Sequence, residues 1–135
     1  MTATPGSILL DSQALSLLVR RDRSLGLMAD KARRAGIPVH VSILTVIEAA
    51  QGRFDRSRLD WVLSRLYRVE SVTPADGMTA LDLLGAAGNP SGHAHAIDAA
   101  VAALALRLPG PTIVYTSDPD DWRRLLGRRV TLVTV

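Results

Sequence analysis

Short apolar runs alternate with longer stretches in which apolar residues recur every three or four positions. The apolar runs are residues 7–10, 37–41, 67–72, 112–115 and 130–133, and their length and composition are typical of buried strands. The recurring spacing between them is typical of helices. Strands that alternate with helices predict a mainly parallel sheet of about five strands with helices on both faces, in one α/β domain over residues 1–135.

The predicted helices differ in how polar they are. They cover residues 11–22, 24–35, 43–52, 53–65, 74–87, 94–108 and 122–127. The stretch 94–108 is apolar on every face except for Asp98, which predicts a helix buried against the sheet. A carboxylate in such a helix is costly unless a cation or hydrogen-bond donors compensate it. Asp98 is therefore either a paired structural acid or a ligand.

Three further acids lie close to the ends of predicted strands. Asp11 ends the first strand, Asp118 follows the fourth by two residues, and Glu48 lies on the polar stripe of the helix after the second strand. Because ligands gather at the carboxyl ends of parallel strands, we expect these acids and Asp98 at one sheet edge. Each acid also has a structural alternative: Asp11 and Asp118 suit helix N-caps, and Glu48 an ion pair with an arginine.

Carboxylates that lie close together repel one another, and burial raises their pKa values further. A divalent cation relieves the repulsion, and oxygen-only ligand sets favour Mg²⁺ or Mn²⁺. Such an ion stabilises charge on a phosphoryl group, so an acidic cluster in a basic protein fits phosphodiester hydrolysis.

Composition narrows the class of protein. The 135 residues are 47% hydrophobic and include no cysteine, which excludes a thiolate nucleophile and a cysteine-ligated zinc. No apolar run reaches the length of a membrane span and MTATPG is not a signal peptide, so we expect no membrane association and a cytoplasmic location. The net charge is +3, and Lys31 is the only lysine among 16 basic residues. Arginine binds phosphate through two parallel hydrogen bonds, which makes a nucleic-acid partner plausible.

The segments LLDSQAL, TVIEAA, AIDAAV and TSDPDDW, in this order, resemble the PIN domain family, most closely its VapC-type toxins. The resemblance covers essentially the whole chain. It implies a three-layer α/β/α sandwich and a metal-dependent endoribonuclease that uses Mg²⁺ or Mn²⁺ and cleaves RNA. It also implies a homodimer and a cognate antitoxin that covers the cleft. The acidic quartet of the family falls on Asp11, Glu48, Asp98 and Asp118.

Other positions surround this quartet in the resemblance. Thr116 and Ser117 match hydroxyl residues that support the fourth acid, Asp121 matches a further acid of some members, and Ser12 adjoins the first acid. Asp120 is expected to face solvent.

Two positions depart from the pattern. Gln13 lies near the first acid, where relatives commonly have a small residue or Asn. His95 lies one turn before Asp98, where many relatives have another acid. His95 suits a ligand, a phosphate contact or a polar residue at the rim, and the rim is favoured. His40 is expected at the edge of the core.

Arginines follow three of the predicted site helices and are candidate RNA contacts. The candidates are Arg20, Arg21, Arg53 and Arg123. Solvated surface charge is the alternative for each group of arginines.

Two other functions compete with the nuclease. One is a non-catalytic RNA-binding PIN module. The other is a response-regulator-like domain, which requires adjacent acids after the first strand and a lysine after the last, and the chain has neither.

Overall fold

The structure is a computed structural model that describes residues 4–51, 55–88 and 92–135, apart from the side chains of 92–94. Within these ranges the chain forms five strands and seven helices. The strands are β1 (Ser7–Leu10), β2 (Val39–Ser42), β3 (Arg68–Glu70), β4 (Thr112–Thr116) and β5 (Thr131–Thr134). The helices are α1 (Ser12–Val19), α2 (Arg23–Arg34), α3 (Ile43–Ala49), α4 (Arg56–Arg65), α5 (Pro74–Ala86), α6 (Gly92–Arg107) and α7 (Pro119–Leu126).

The strands form one parallel sheet in the order β3-β2-β1-β4-β5. Leu10, at the end of β1, pairs with Val41 of β2 and with Tyr115 of β4, so these three strands end nearly level. The chain adds β2 and β3 on one side of β1 and then crosses to the other side for β4 and β5. The strand order therefore reverses between β1 and β4, where an open sheet of this kind provides a crevice for ligands.

Helices cover both faces of the sheet, because successive side chains of β1 point to opposite sides. Leu9 packs in a buried cluster with Val114 and residues of α5, α6 and α7. Ile8 and Leu10 pack in a second cluster with residues of α1, α2 and α4. Helix α3 contacts both layers, since it touches α1 and α6. The result is a three-layer α/β/α sandwich.

The apolar helix α6 is buried as its sequence predicts. Ala99 and the five consecutive residues from Val101 to Ala105 are all within the core. Asp98 differs from the prediction, because its side chain is 43% exposed. It lies in the second turn of α6, where the helix emerges at the carboxyl edge of the sheet, rather than among the apolar residues further along.

Element boundaries shift from the predicted ones for local reasons. Strand β2 begins at Val39 because Pro38 has no N–H to contribute to the ladder. The predicted helix 11–22 ends at Val19, because Arg21 has a positive φ of 66° and Asp22 caps α2. The predicted helix end at Gly52 and the loop at 89–91 lie outside the described residues.

A polar network around buried His40, Glu70 and Asp76 joins β2, β3, α5 and α6. His40 Nδ1 lies 3.0 Å from Glu70 Oε1, and both residues are buried, whereas His40 was expected at the edge of the core. Arg107 donates from Nε to Asp76 Oδ1 at 2.9 Å and lies 3.7 Å from Glu70 Oε2. Asp76 also closes a capping box with Thr73 at the start of α5. The network fixes the short edge strand β3 to the helices behind it.

No helix in the described part of the chain combines the length and the apolar character that a membrane crossing requires.

Candidate metal centre

Asp11 and Asp118 flank the point where the strand order reverses. Asp11 directly follows β1, and its backbone N–H donates to the Tyr115 carbonyl at 3.0 Å. Its Oδ1 accepts the Ala14 N–H at 2.9 Å, which caps α1, and its Oδ2 accepts the Ser117 N–H at 3.3 Å. Backbone donors from two elements therefore fix the Asp11 carboxylate beside β4.

Asp118 occupies the N-cap position of α7, but its side chain makes no capping hydrogen bond. Its backbone N–H donates to Thr116 Oγ1 at 2.9 Å, and Thr116 is fully buried. This bond holds the turn after β4 and leaves the exposed carboxylate of Asp118 available to a ligand. The N-cap alternative thus describes Asp11, which does cap a helix, better than Asp118.

Glu48 and Asp98 reach the same edge from helices. Helix α3 begins directly after β2, where Ser42 Oγ accepts the Leu44 N–H at 3.1 Å, and Glu48 lies near its end. Asp98 lies in the second turn of α6, close to the first turn of α7, since these two helices pack together.

One cleft of about 130 Å³ contains all four acids of the predicted quartet. Its polar lining consists of Asp11, Ser12, Thr45, Glu48, Asp98, Ser117, Asp118 and Asp121. Its apolar lining consists of Val101, Trp122 and Leu125. The cleft therefore brings together acids that are up to 107 positions apart in the chain (118 − 11).

The acids in the cleft perturb one another. Partial burial and then the charges of Asp98 and Asp11 raise the pKa of Glu48. Burial, followed by the charge of Asp121, raises the pKa of Asp98, and His95 opposes this shift. A hydrogen bond shared with Asp121 is the main cause that raises the pKa of Asp118. Such an excess of negative charge favours a cation, and the hard oxygen donors suit Mg²⁺ or Mn²⁺.

Asp121 and His95 lie with the quartet. Ligand atoms of His95, Asp98 and Asp121 are all within 4.8 Å of one another. Asp120, in contrast, faces solvent with a side chain 94% exposed, as predicted. Gln13 is exposed and does not line the cleft.

The candidate RNA-binding arginines are not brought to the cleft as a group. Arg20 and Arg21 follow the last turn of α1, about 12 Å along the helix from Asp11. Arg123 is exposed on α7, two residues after Asp121. Arg58 of α4, five residues after the candidate Arg53, donates to the carbonyls of Leu18 and Val19 and so closes the end of α1. Arg53 lies outside the described residues.

Four lining residues were not proposed from the sequence, and two of them, Thr45 and Trp122, lie next to the acids in the chain or on the same helix face. Thr45 is 1% exposed and lies one turn before Glu48, on the polar stripe that the spacing of α3 already indicates. Trp122 is 7% exposed and follows Asp121 directly. Nothing in the sequence distinguishes Trp122 from an ordinary core residue, and only the packing of α7 against α6 places it beside the acids.

The architecture is a PIN-like α/β fold, and solved toxin–antitoxin complexes contain it. One is the crystal structure of VapBC2 from Rickettsia felis bound to a DNA fragment from their promoter: 96% of this chain matches 98% of a chain there, with a TM-score of 0.71 and 15% identity. Another is the crystal structure of DNA-bound VapBC from Salmonella typhimurium, with coverages of 95% and 97%, a TM-score of 0.67 and 16% identity. No family model and no curated protein sequence matches the chain. The predicted fold class is confirmed.

Proposed function

We propose that this protein is a metal-dependent endoribonuclease of the VapC toxin type, which hydrolyses RNA phosphodiester bonds at the acidic cleft. The observation that carries the proposal is the convergence of Asp11, Glu48, Asp98 and Asp118 on one cleft at the point where the strand order reverses. Acids that serve only as helix caps or ion-pair partners are not expected to line the same cleft. None of the four forms an ion pair with a described lysine or arginine.

The donor set fits a divalent ion of the Mg²⁺ or Mn²⁺ kind. The residues proposed to hold it, directly or through water, are Asp11, Asp98 and Asp118, with Glu48 beside them. When bound, the ion offsets their mutual repulsion and stabilises negative charge on a phosphodiester. The protein supplies the positions: backbone N–H groups orient Asp11, buried Thr116 holds the turn that carries Asp118, and Trp122 and Val101 form part of the apolar wall of the cleft.

RNA as the substrate rests on the family resemblance together with charge. The chain carries a net charge of +3, and nearly all its basic residues are arginines. Arg123 is the best placed of the predicted contacts, because α7 carries both it and Asp121. Arg20 and Arg21 lie at the opposite end of α1 and would contact RNA only beyond the cleft.

Two partners belong to the proposal. The solved structures that share this fold are VapBC complexes bound to DNA, which supports a cognate antitoxin for this chain as well. The second partner is another copy of the chain. Large apolar residues are exposed in pairs one turn apart, Ile43 with Ile47 on α3 and Met78 with Leu81 on α5, which favours a homodimer.

Cleavage by the isolated protein tests the activity. Purified without its antitoxin, the protein is expected to cut some members of a panel of structured RNAs in Mg²⁺ or Mn²⁺ and to stop on addition of EDTA. Asp11→Asn is expected to bind the same RNAs and to lose on the order of 100-fold or more in cleavage rate, since losing a ligand costs at least as much as losing a ligand's partner.

The matched control is Asp60→Asn, which removes an exposed acid paired with Arg56 on α4. It is expected to leave cleavage unchanged. Intact Mn²⁺ binding with no cleavage of any RNA in the panel, and no growth arrest on expression in cells, would instead indicate a non-catalytic RNA-binding module.

A further inference from the structure

We propose that His95 coordinates the divalent ion directly, together with Asp98 and Asp121, so that the centre contains a nitrogen ligand and prefers Mn²⁺ and later first-row ions to Mg²⁺. The inference rests on the proposed function, because it requires an ion in the acidic cleft. It assigns His95 a different role from the polar rim residue that the sequence favours, and it makes Asp121 a ligand in its own right.

The geometry of these three residues fits a single ion. Their ligand atoms all lie within 4.8 Å of one another, and no other trio of His, Asp or Glu in the described residues meets this condition. Two ligands on opposite sides of an ion, each at about 2.1 Å, are about 4.2 Å apart. Small rotations of the three side chains are therefore enough to place all of them around one ion.

The three ligands come from two helices that pack together. His95 and Asp98 are one turn apart on α6, so their side chains share a face of the helix. Asp121 lies in the first turn of α7, which contacts α6. Packing of the apolar residues of these helices, among them Val101 and Leu125, holds the trio in place before any ion binds.

His95 lies within ion-pair distance of Asp98 but makes no hydrogen bond to it. Its Nδ1 is 3.8 Å from Asp98 Oδ2, which is beyond hydrogen-bonding distance. Neither ring nitrogen forms a hydrogen bond with another described residue. The ring is nevertheless only 26% exposed, so it lies against the protein beside Asp98 and Asp121 instead of extending into water. A partly buried imidazole that makes no hydrogen bond within the described part of the chain, beside two carboxylates, has the surroundings of a metal ligand.

Nitrogen in the ligand set changes which ions bind well. Mg²⁺ takes oxygen ligands in near-octahedral geometry, whereas imidazole suits transition ions. Affinity for such sites generally rises from Mn²⁺ towards Co²⁺ and Ni²⁺. An oxygen-only centre follows the same order less steeply, so an imidazole at residue 95 shifts the metal preference of the cleft away from Mg²⁺.

Electron spin echo spectroscopy of bound Mn²⁺ tests the coordination on the unaltered full-length protein. The spectrum is expected to show ¹⁴N couplings, and these are expected to become ¹⁵N couplings when only the histidines carry ¹⁵N. His95→Asp and His95→Asn are expected to keep Mn²⁺ bound and to lose the couplings. Titration calorimetry of the same proteins is expected to show a Mn²⁺-to-Mg²⁺ preference about 10-fold smaller in His95→Asp, a change of the size seen when metal-site residues are altered.

The outcomes separate this inference from the proposed function. Mn²⁺ that binds the native protein without ¹⁴N coupling, and whose binding Asp11→Asn still weakens, overturns the role of His95 alone. Couplings that persist in both His95 variants assign the nitrogen to another residue and also overturn it. A protein that binds no Mn²⁺ at all overturns both the His95 ligand and the metal centre of the proposed function.

Discussion

At the scale of single residues, Asp11 and Asp118 show how similar positions in the chain give the same side chain different hydrogen-bond partners. Both follow a central strand and precede a helix. Two backbone N–H groups hold the Asp11 carboxylate, whereas that of Asp118 has no capping bond and lies close to Asp121, which raises the pKa of Asp118. Asp11 is therefore a fixed point of the cleft, and Asp118 is a carboxylate that can move to meet an ion.

Asp98 provides a stability test of the crowded acids. Its pKa lies above the ordinary value of 3.8, first because of burial and then because of Asp121. The folded state thus holds this proton more tightly than the unfolded chain, and the stability it provides is lost as pH rises above 3.8. At pH 7 without metal, Asp98→Asn is expected to leave the free energy of unfolding unchanged or raise it by up to about 1 kcal/mol, a small effect because solvent screens the half-exposed group.

Thermal melts of the native protein and Asp98→Asn, with and without Mn²⁺, measure this effect. Mn²⁺ is expected to stabilise the native protein and to stabilise the variant much less. Marked destabilisation of the metal-free variant would show that Asp98 is a paired structural acid.

His40 gives the molecule a second pH dependence of opposite sign. Burial lowers the pKa of His40 below 6.5, although Glu70 opposes the shift. Below pH 6.5 the unfolded chain therefore takes up a proton that the folded state resists. The free energy of unfolding is expected to fall, by at most about 1.4 kcal/mol per pH unit, until the pH reaches the folded pKa.

Urea unfolding at several pH values between 5 and 7.5 measures this slope. His40→Asn, which can keep a donor towards Glu70, is expected to flatten it. His95→Asn serves as the control and is expected to retain it. The same slope in the His40 variant would contradict the assignment.

At the scale of elements, the pair that Arg107 forms with buried Asp76 is expected to contribute more than a pair of similar length with both partners exposed. Arg107 joins the end of α6 to the capping box of α5 and to the Ser71 carbonyl, and Asp76 is 4% exposed. Arg107→Ala is expected to cost about 1–3 kcal/mol, because it leaves a buried carboxylate without its main donor.

The exposed pair on α4 provides the comparison. Arg56 and Asp60 are 3.0 Å apart but have side chains 81% and 60% exposed. Denaturant unfolding of Arg56→Ala is expected to match the native protein, since solvent screens such pairs. Equal losses in the two variants would show that the network around Arg107 does not hold β3 in place.

Periodicity predicted the order of the elements because hydrophobic spacing differs so clearly between strands and helices. β1 has the predicted bounds, and the ends of the other strands differ from the predicted ones by at most two residues. The differences arise where backbone hydrogen bonding decides the boundary, as at Pro38 and at Arg21. The pairing of His40 with Glu70 was not predictable, because it depends on the register of β2 against β3, which local spacing does not encode.

At the scale of the whole molecule, one part of the candidate site was predictable from the sequence and another part was not. That Asp11 and Asp118 meet followed from the rule that carboxyl ends of parallel strands share an edge. The approach of His95 and Asp98 to Asp121 depends on how α6 packs against α7, so the sequence alone left the role of His95 open. The sequence also did not show that Arg20 and Arg21 lie away from the cleft, because they follow the far end of α1.

The proposed homodimer is testable with a matched pair of substitutions. Ile47 on α3 and Leu27 on α2 are both 53% exposed, but only Ile47 has an exposed apolar neighbour one turn away on its own helix. Ile47→Lys is expected to convert the dimer to a monomer in light scattering after gel filtration, and Leu27→Lys is expected to leave it intact. Two monomeric variants, or two dimeric ones, would contradict the assignment of α3 to the interface.

The central claim is that four distant acids form one divalent-ion site. A crystal of the protein soaked in Mn²⁺, with anomalous diffraction to locate the ion, tests it most directly. The expected result is an anomalous peak in the cleft, with oxygens of Asp11, Asp98 and Asp118 bound directly or through water and Glu48 beside them. A well-occupied peak elsewhere with none in the cleft, or these carboxylates turned away from one another towards arginines, would contradict the claim.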